Sequence, residues 1–117
     1  MKLAVVGSRN FNDYNLLKSK LDQIHKRKPI TLIVSGGAKG ADSLSERWAK
    51  ENSIETLIFI PDWNKYGKRA GFLRNEDIIT NSDAVIAFWD GVSRGTESSI
   101  NLAKKQGKSC LMVKFSF

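Results

Sequence analysis

The sequence predicts a single α/β domain: a three-layer sandwich with a five-stranded parallel sheet and helices on both faces. Three observations point there. Five short runs rich in β-branched and aromatic residues lack strict alternation, as strands buried on both faces do. The segments between them carry helical periodicity. All the glycines but Gly107 fall where the chain leaves a run and enters a helix.

In order, the strand runs are 2–6 (KLAVV), 31–34 (TLIV), 56–60 (TLIFI), 84–88 (AVIAF) and 109–115 (SCLMVKF). Leu17, Leu21 and Ile24 mark the first helix, with Asn12 or Asp13 as its cap. Ala41, Leu44 and Trp48 mark the second, and Ile78 and Ile79 a third over 74–81. Thr96, Ile100 and Ala103 share a stripe on the fourth, which Gly107 stops. Strands joined by right-handed crossover helices give a parallel, doubly wound sheet. A chain of 117 residues holds one core, so 1–117 is read as one domain.

Composition excludes several classes. With 41% hydrophobic and 26% charged residues and 2 prolines, the chain is not disordered. No apolar stretch approaches the ~20 residues that span a bilayer. Gly7, Arg9 and Asn10 end the first apolar run too soon for a signal peptide. One cysteine, Cys110, makes no internal disulfide and is expected in the core; no Cys/His cluster suggests zinc. A cytoplasmic protein without membrane contact is expected. Nineteen Lys plus Arg against 12 Asp plus Glu give +7 (pI ≈ 9.7). That balance favours anionic partners, but a solvated basic surface explains it equally well.

The loops after the strands carry the chemistry, because ligands of open α/β sheets bind at the carboxyl edge. Gly7-Ser8-Arg9 follows the first strand: a tight turn, a hydroxyl and a guanidinium fork for phosphate. It does not complete the G-x-G-x-x-G fingerprint. Ser35-Gly36-Gly37-Ala38-Lys39-Gly40-Ala41-Asp42 follows the second, exposing amides at a helix start as an anion cradle without Walker A spacing. Asp42 would bond ribose hydroxyls or complement the helix N-terminus.

The segment 61–73 is read as a long loop in which Trp63 and Tyr66 interleave with Lys65, Lys68 and Arg69. Trp63 would stack a base or, with Phe72, anchor the loop to the core. Arg74 and Asn75 would open the next helix and point into the same cleft. After the fourth strand, Asp90, Gly91, Ser93, Arg94, Gly95 and Thr96 form a second anion-binding helix start, capped by Ser93. His25, the only histidine, is read as a solvated residue at a helix end, so Ser-His-Asp catalysis is not available.

The motifs GSRNFND, SGGAKGAD, PDWNKYGKRAGFLRN and FWDGVSRGT, in that order, closely resemble the YspA-like branch of the SLOG superfamily, named after SMF/DprA and LOG proteins. Members are common in bacteria and their phages. The resemblance implies a Rossmann-like fold, a pocket at the carboxyl edge and binding of a nucleotide or nucleotide-derived phosphorylated ligand. It also implies a homo-oligomer, consistent with the apolar last strand. LOG proteins of the same superfamily cleave the N-glycosidic bond of nucleoside 5′-monophosphates with an Arg and the Glu of G-G-x-G-T-x-x-E. Matching Gly95-Thr96 to that signature makes Arg74 the Arg candidate, while Ser99 stands where the Glu is expected. Glu97, the nearby carboxylate, lies about 200° round a helix from that place.

The leading expectation is therefore nucleotide-ligand binding. The alternatives are a LOG-like N-glycosidase on nucleoside phosphates or ADP-ribose-like substrates, with Arg74 and Glu97 catalytic, and DprA-like single-stranded nucleic-acid binding. No resident cofactor or metal is expected; a Mg²⁺ would arrive only with a phosphorylated ligand.

Overall fold

The structure, a computed structural model, describes residues 1–116. Strands β1 (Lys2–Gly7), β2 (Leu32–Ser35), β3 (Glu55–Ile58), β4 (Ala84–Trp89) and β5 (Ser109–Lys114) form one parallel sheet in the order β3-β2-β1-β4-β5. Helices α1 (Tyr14–Arg27) and α2 (Ala41–Glu51) cover one face. On the other lie α4 (Ala70–Thr80) and α5 (Arg94–Lys105). A short helix α3 (Trp63–Tyr66) and a 3₁₀ turn (Gly67–Arg69) precede α4. The doubly wound, Rossmann-like sandwich is thus present, and its strand order reverses between β1 and β4.

The central strands show why their apolar runs do not alternate. Leu3 and Val5 of β1, with Ile86 and Phe88 of β4, pack under α1 and α2. The intervening Ala4, Val6, Val85 and Ala87 pack under α4 and α5. The four inner positions of each strand, 3–6 and 85–88, meet a helix layer on one side or the other, so polar residues have no place there. β3 and β5 depart from the expected double burial. They are edge strands, and Leu57, Ile58, Leu111 and Met112 remain between 37% and 49% exposed. Their apolar character reflects the pleated edge, not enclosure. Cys110 is half-buried against the second core cluster.

Local chemistry sets the helix ends. Asp13, not Asn12, caps α1: its carboxylate accepts the Leu16 N–H at 3.0 Å. His25 is not solvated as expected. Its Nδ1 accepts the Ile30 N–H at 2.8 Å, and its ring meets Trp48 edge-on at 5.6 Å, fixing the turn out of α1. The 61–73 segment is largely helical, and α4 begins four residues before the expected 74. Gly71 lies inside its first turn, where a Cβ would sit 3.4 Å from Trp63 Cη2, so the indole edge lies against the helix backbone.

Candidate ligand cleft at the carboxyl edge

The site begins with two loops in mutual contact. β1 ends at Gly7, and the chain turns through Ser8, Arg9 and Asn10 before Phe11 plugs into the core, stacked on Phe88 at 4.8 Å between centroids. Ser8 is buried; its Oγ accepts the Asp90 N–H at 3.4 Å, tying the β1 exit to the β4 exit. Gly40, with φ +79°, backs onto the same turn. A Cβ there would lie 2.3 Å from the Ser8 carbonyl oxygen, so only glycine lets the two loops meet.

Two carboxylates hold the loops from within. Asp42, in the first turn of α2, is 7% exposed, and its Oδ2 accepts the Ala38 N–H at 3.1 Å. Burial pushes its carboxyl above the ordinary carboxylate range, opposed by the Ala38 amide, the Arg74 charge and the Gly36 amide. Asp90 accepts the N–H groups of Val92 at 2.9 Å and Ser93 at 2.8 Å, and these bonds hold its carboxyl below the usual range. Both anion cradles read from the sequence are therefore partly filled by the protein's own carboxylates. Asp42 organises the glycine turn. Ser93 occupies the cap position of α5 without a side-chain cap bond, and the Asp90 carboxylate binds the Val92 and Ser93 amides just ahead of the helix. The first α5 amides, Arg94 to Thr96, have no acceptor within the helix.

Arg74 crosses the edge of the sheet. It lies in the second turn of α4, not at its start, and its Nη1 donates to the Gly36 carbonyl at 2.8 Å. Its Nε donates to Asn75 Oδ1 at 3.0 Å. Burial lowers its pKa, the Asp42 charge opposes that, and the Arg9 charge adds to it.

These groups surround a cleft of about 520 Å³ at the strand-order reversal between β1 and β4. Of the residues singled out from the sequence, it gathers Gly7, Ser8 and Arg9, then Asp42, Arg74 and Asn75. Asp90, Ser93, Gly95 and Thr96 close its far wall. A second cleft, about 490 Å³, shares Arg9, Ala38 and Arg74 with it and adds Gly36, Gly37, Lys39 and Trp63.

Other candidates lie elsewhere. Ser35 is buried beneath the turn, where its Oγ donates to Glu46 and accepts the Gly37 N–H. Gly40 serves loop packing, and Gly91 faces Lys114. Arg69 is exposed on the 3₁₀ turn. Arg94 and Glu97 line a separate groove with Phe72 and Lys105, on the outer side of α5. Glu97 is thus removed from Arg74's cleft by the helical rotation. Ser99 does face that cleft, 2% exposed, with its Oγ donating to the Gly95 carbonyl at 3.3 Å. Trp63 and Phe72 are 52% and 50% exposed and anchor nothing to the core. The site choices from sequence omitted Val6, Asn10, Ala38, Ile78 and Ser99 of the cleft wall. Asn10 was readable from its place in the β1 exit; Ala38 and Ile78 carry no chemical signal.

Among the described residues, no group of three or more His, Cys, Asp or Glu side chains converges, and no helix is long and apolar enough to cross a membrane.

Known proteins resemble this chain in sequence or in fold. The gene 61 protein of Mycobacterium phage D29 is 34% identical over 113 residues, spanning 91% of this chain and 90% of that protein. DNA processing protein A (DprA) of Streptococcus pneumoniae superposes with a TM-score of 0.78 at 21% identity, over 99% of this chain and 51% of that one. DprA of Helicobacter pylori, solved to describe its single-stranded DNA binding mode, gives 0.75 at 24% identity, over 100% and 66%. The chain therefore spans about half of the first DprA and 66% of the second, and these likenesses concern the fold. Residues 1–66 match the model of the YspA, cpYpsA-related SLOG family, a stretch that carries the first two loop motifs entire. The chain belongs to that family.

Proposed function

We propose that the chain binds a phosphorylated, nucleotide-derived ligand in the cleft between β1 and β4. The observation that carries this reading is the Arg74 guanidinium, held beside Arg9 at the strand-order reversal of a parallel sheet. Ligands of open α/β sheets lodge at that point, and about 520 Å³ is the size of a small-molecule site. Two of the five guanidinium N–H groups are used by Gly36 and Asn75; the others suit phosphate oxygens. Ser93, Thr96 and Asn75 supply polar contacts for a sugar.

Binding fits better than N-glycosidic hydrolysis. An oxocarbenium-like transition state needs a carboxylate close to the sugar. The cleft's carboxylates, Asp42 and Asp90, already accept backbone amides, and Ser99 occupies the helical position where LOG proteins carry Glu. A second reading, a short nucleic-acid strand, draws support from the exposed Trp63 and Tyr66 beside Lys65, Lys68 and Arg69, and from the DprA fold.

A thermal-shift panel of AMP, ADP, GMP, NAD⁺, ADP-ribose and an oligodeoxynucleotide tests the proposal. Ligand at a hundredfold excess over Kd stabilises by about 2.7 kcal/mol. A saturable shift with one nucleotide class, lost in Arg74→Ala, is expected. No shift with any small molecule at millimolar concentration overturns the reading.

A further inference from the structure

We infer that the ligand has two ring-bearing units joined through phosphate, the second unit lying in the cleft walled by Trp63. This rests on the reading of the first cleft as a nucleotide site and names the class of ligand it takes. Three independent features lead to it.

The two clefts, about 520 and 490 Å³, are neighbours that share a wall, because Arg9, Ala38 and Arg74 line both. A guanidinium pair at a shared wall is where a bridging phosphate is held from both sides. The second cleft differs in charge from the first. Among the described residues, its charged lining is Arg9, Lys39 and Arg74, with no carboxylate, whereas the first also contains Asp42 and Asp90. Phosphate belongs at the junction and beyond it, and the sugar hydroxyls belong on the acidic side. Finally, the second cleft has an aromatic wall. Trp63 is 52% exposed, while its edge rests against Gly71, so the indole is steadied and still open for stacking. Ile60, 68% exposed, and Pro61 extend this apolar wall. An isolated mononucleotide would leave this surface in water; a second planar ring covers it.

The test uses the full chain in isothermal titrations with AMP, GMP, diadenosine 5′,5′-diphosphate and diguanosine 5′,5′-diphosphate. One dinucleoside diphosphate should bind at least tenfold more tightly than its mononucleotide. Trp63→Ala should abolish that advantage and leave mononucleotide affinity within twofold, which also reports an intact fold. Trp63→Phe should restore most of it. Equal affinity of the wild type for mono- and dinucleoside compounds overturns this inference alone. So does a Trp63→Ala variant that keeps the advantage. Failure of all four compounds to bind overturns the nucleotide reading as well. Deoxyadenylate strands of two, four and eight units complete the series: affinity that keeps rising beyond two units contradicts a two-unit ligand and points to a strand.

Discussion

Arg74 donates through Nη1 to the carbonyl of Gly36 at 2.8 Å, joining α4 on one face of the sheet to the loop that enters α2 on the other. A Cβ on Gly36 would stand 2.6 Å from that same Nη1 and 3.0 Å from Asp42 Oδ2, so the turn, the arginine and the aspartate occupy one packed unit. The guanidinium both shapes the glycine turn and presents its remaining donors to the cleft.

Arg74→Ala should therefore have two separable effects. Nucleotide affinity falls at least tenfold, and amide exchange at 36–39 accelerates because the brace on the turn is gone. Arg74→Lys keeps the charge without the fork, so it retains only part of the affinity. Titration calorimetry and hydrogen exchange by mass spectrometry report the two effects; unchanged exchange in the alanine variant contradicts the brace.

Gly40→Ala tests the contact between the β1 and β2 exits. The new Cβ meets the Ser8 carbonyl oxygen at 2.3 Å in a left-handed backbone conformation. Strain and overpacking together should cost on the order of 2–4 kcal/mol. A urea midpoint lowered by about 1–2 M follows at an ordinary slope for a small domain. A midpoint equal to wild type shows that the loops part without cost.

Asp42 makes stability depend on pH. Burial raises its folded pKa above the unfolded value of 3.8, so the native state favours the protonated carboxyl. That contribution is fully present below pH 3.8 and is lost as pH rises through the raised folded pKa. Asp42→Asn, which keeps an acceptor for the Ala38 amide and never ionises, should gain in stability relative to wild type as pH climbs from below 3.8 towards neutrality. Denaturant unfolding at several pH values measures the difference; one that stays constant assigns no ionisation cost to Asp42.

Glu97→Ala should leave nucleotide affinity within twofold, since Glu97 lies in the outer groove of α5 with Arg94 and Phe72. A tenfold loss, read by calorimetry, would bring the carboxylate into the ligand's surroundings and revive the glycosidase reading.

The central layers were legible from residue order because the runs 3–6 and 85–88 are apolar without a break, a pattern that double burial explains. The carboxyl-edge cleft was legible from where the glycines stand. Two kinds of feature were not. The helical state of 61–73 was hidden by Gly67 and Gly71, which read as loop signals. Gly71 instead lies within the first turn of α4 beside the Trp63 edge, and Gly67 ends α3 with φ +58°. The partners of Asp42 and Asp90 were hidden as well. A carboxylate beside a glycine turn reads alike whether it awaits a ligand or accepts its own loop's amides. Only the closed turn distinguishes the two. His25 erred for a similar reason: basic neighbours suggested solvent, while the Ile30 amide and Trp48 ring lie across the turn.

The most direct test of the account is an amide chemical-shift map recorded while nucleoside monophosphates are titrated into ¹⁵N-labelled protein. The account predicts saturable shifts concentrated at Ser8–Asn10, Ala38, Arg74–Asn75 and Gly95–Thr96, the walls of the cleft between β1 and β4. Shifts confined to the outer groove of α5 or to the edge strands, or no saturable shifts with any nucleotide, would contradict it.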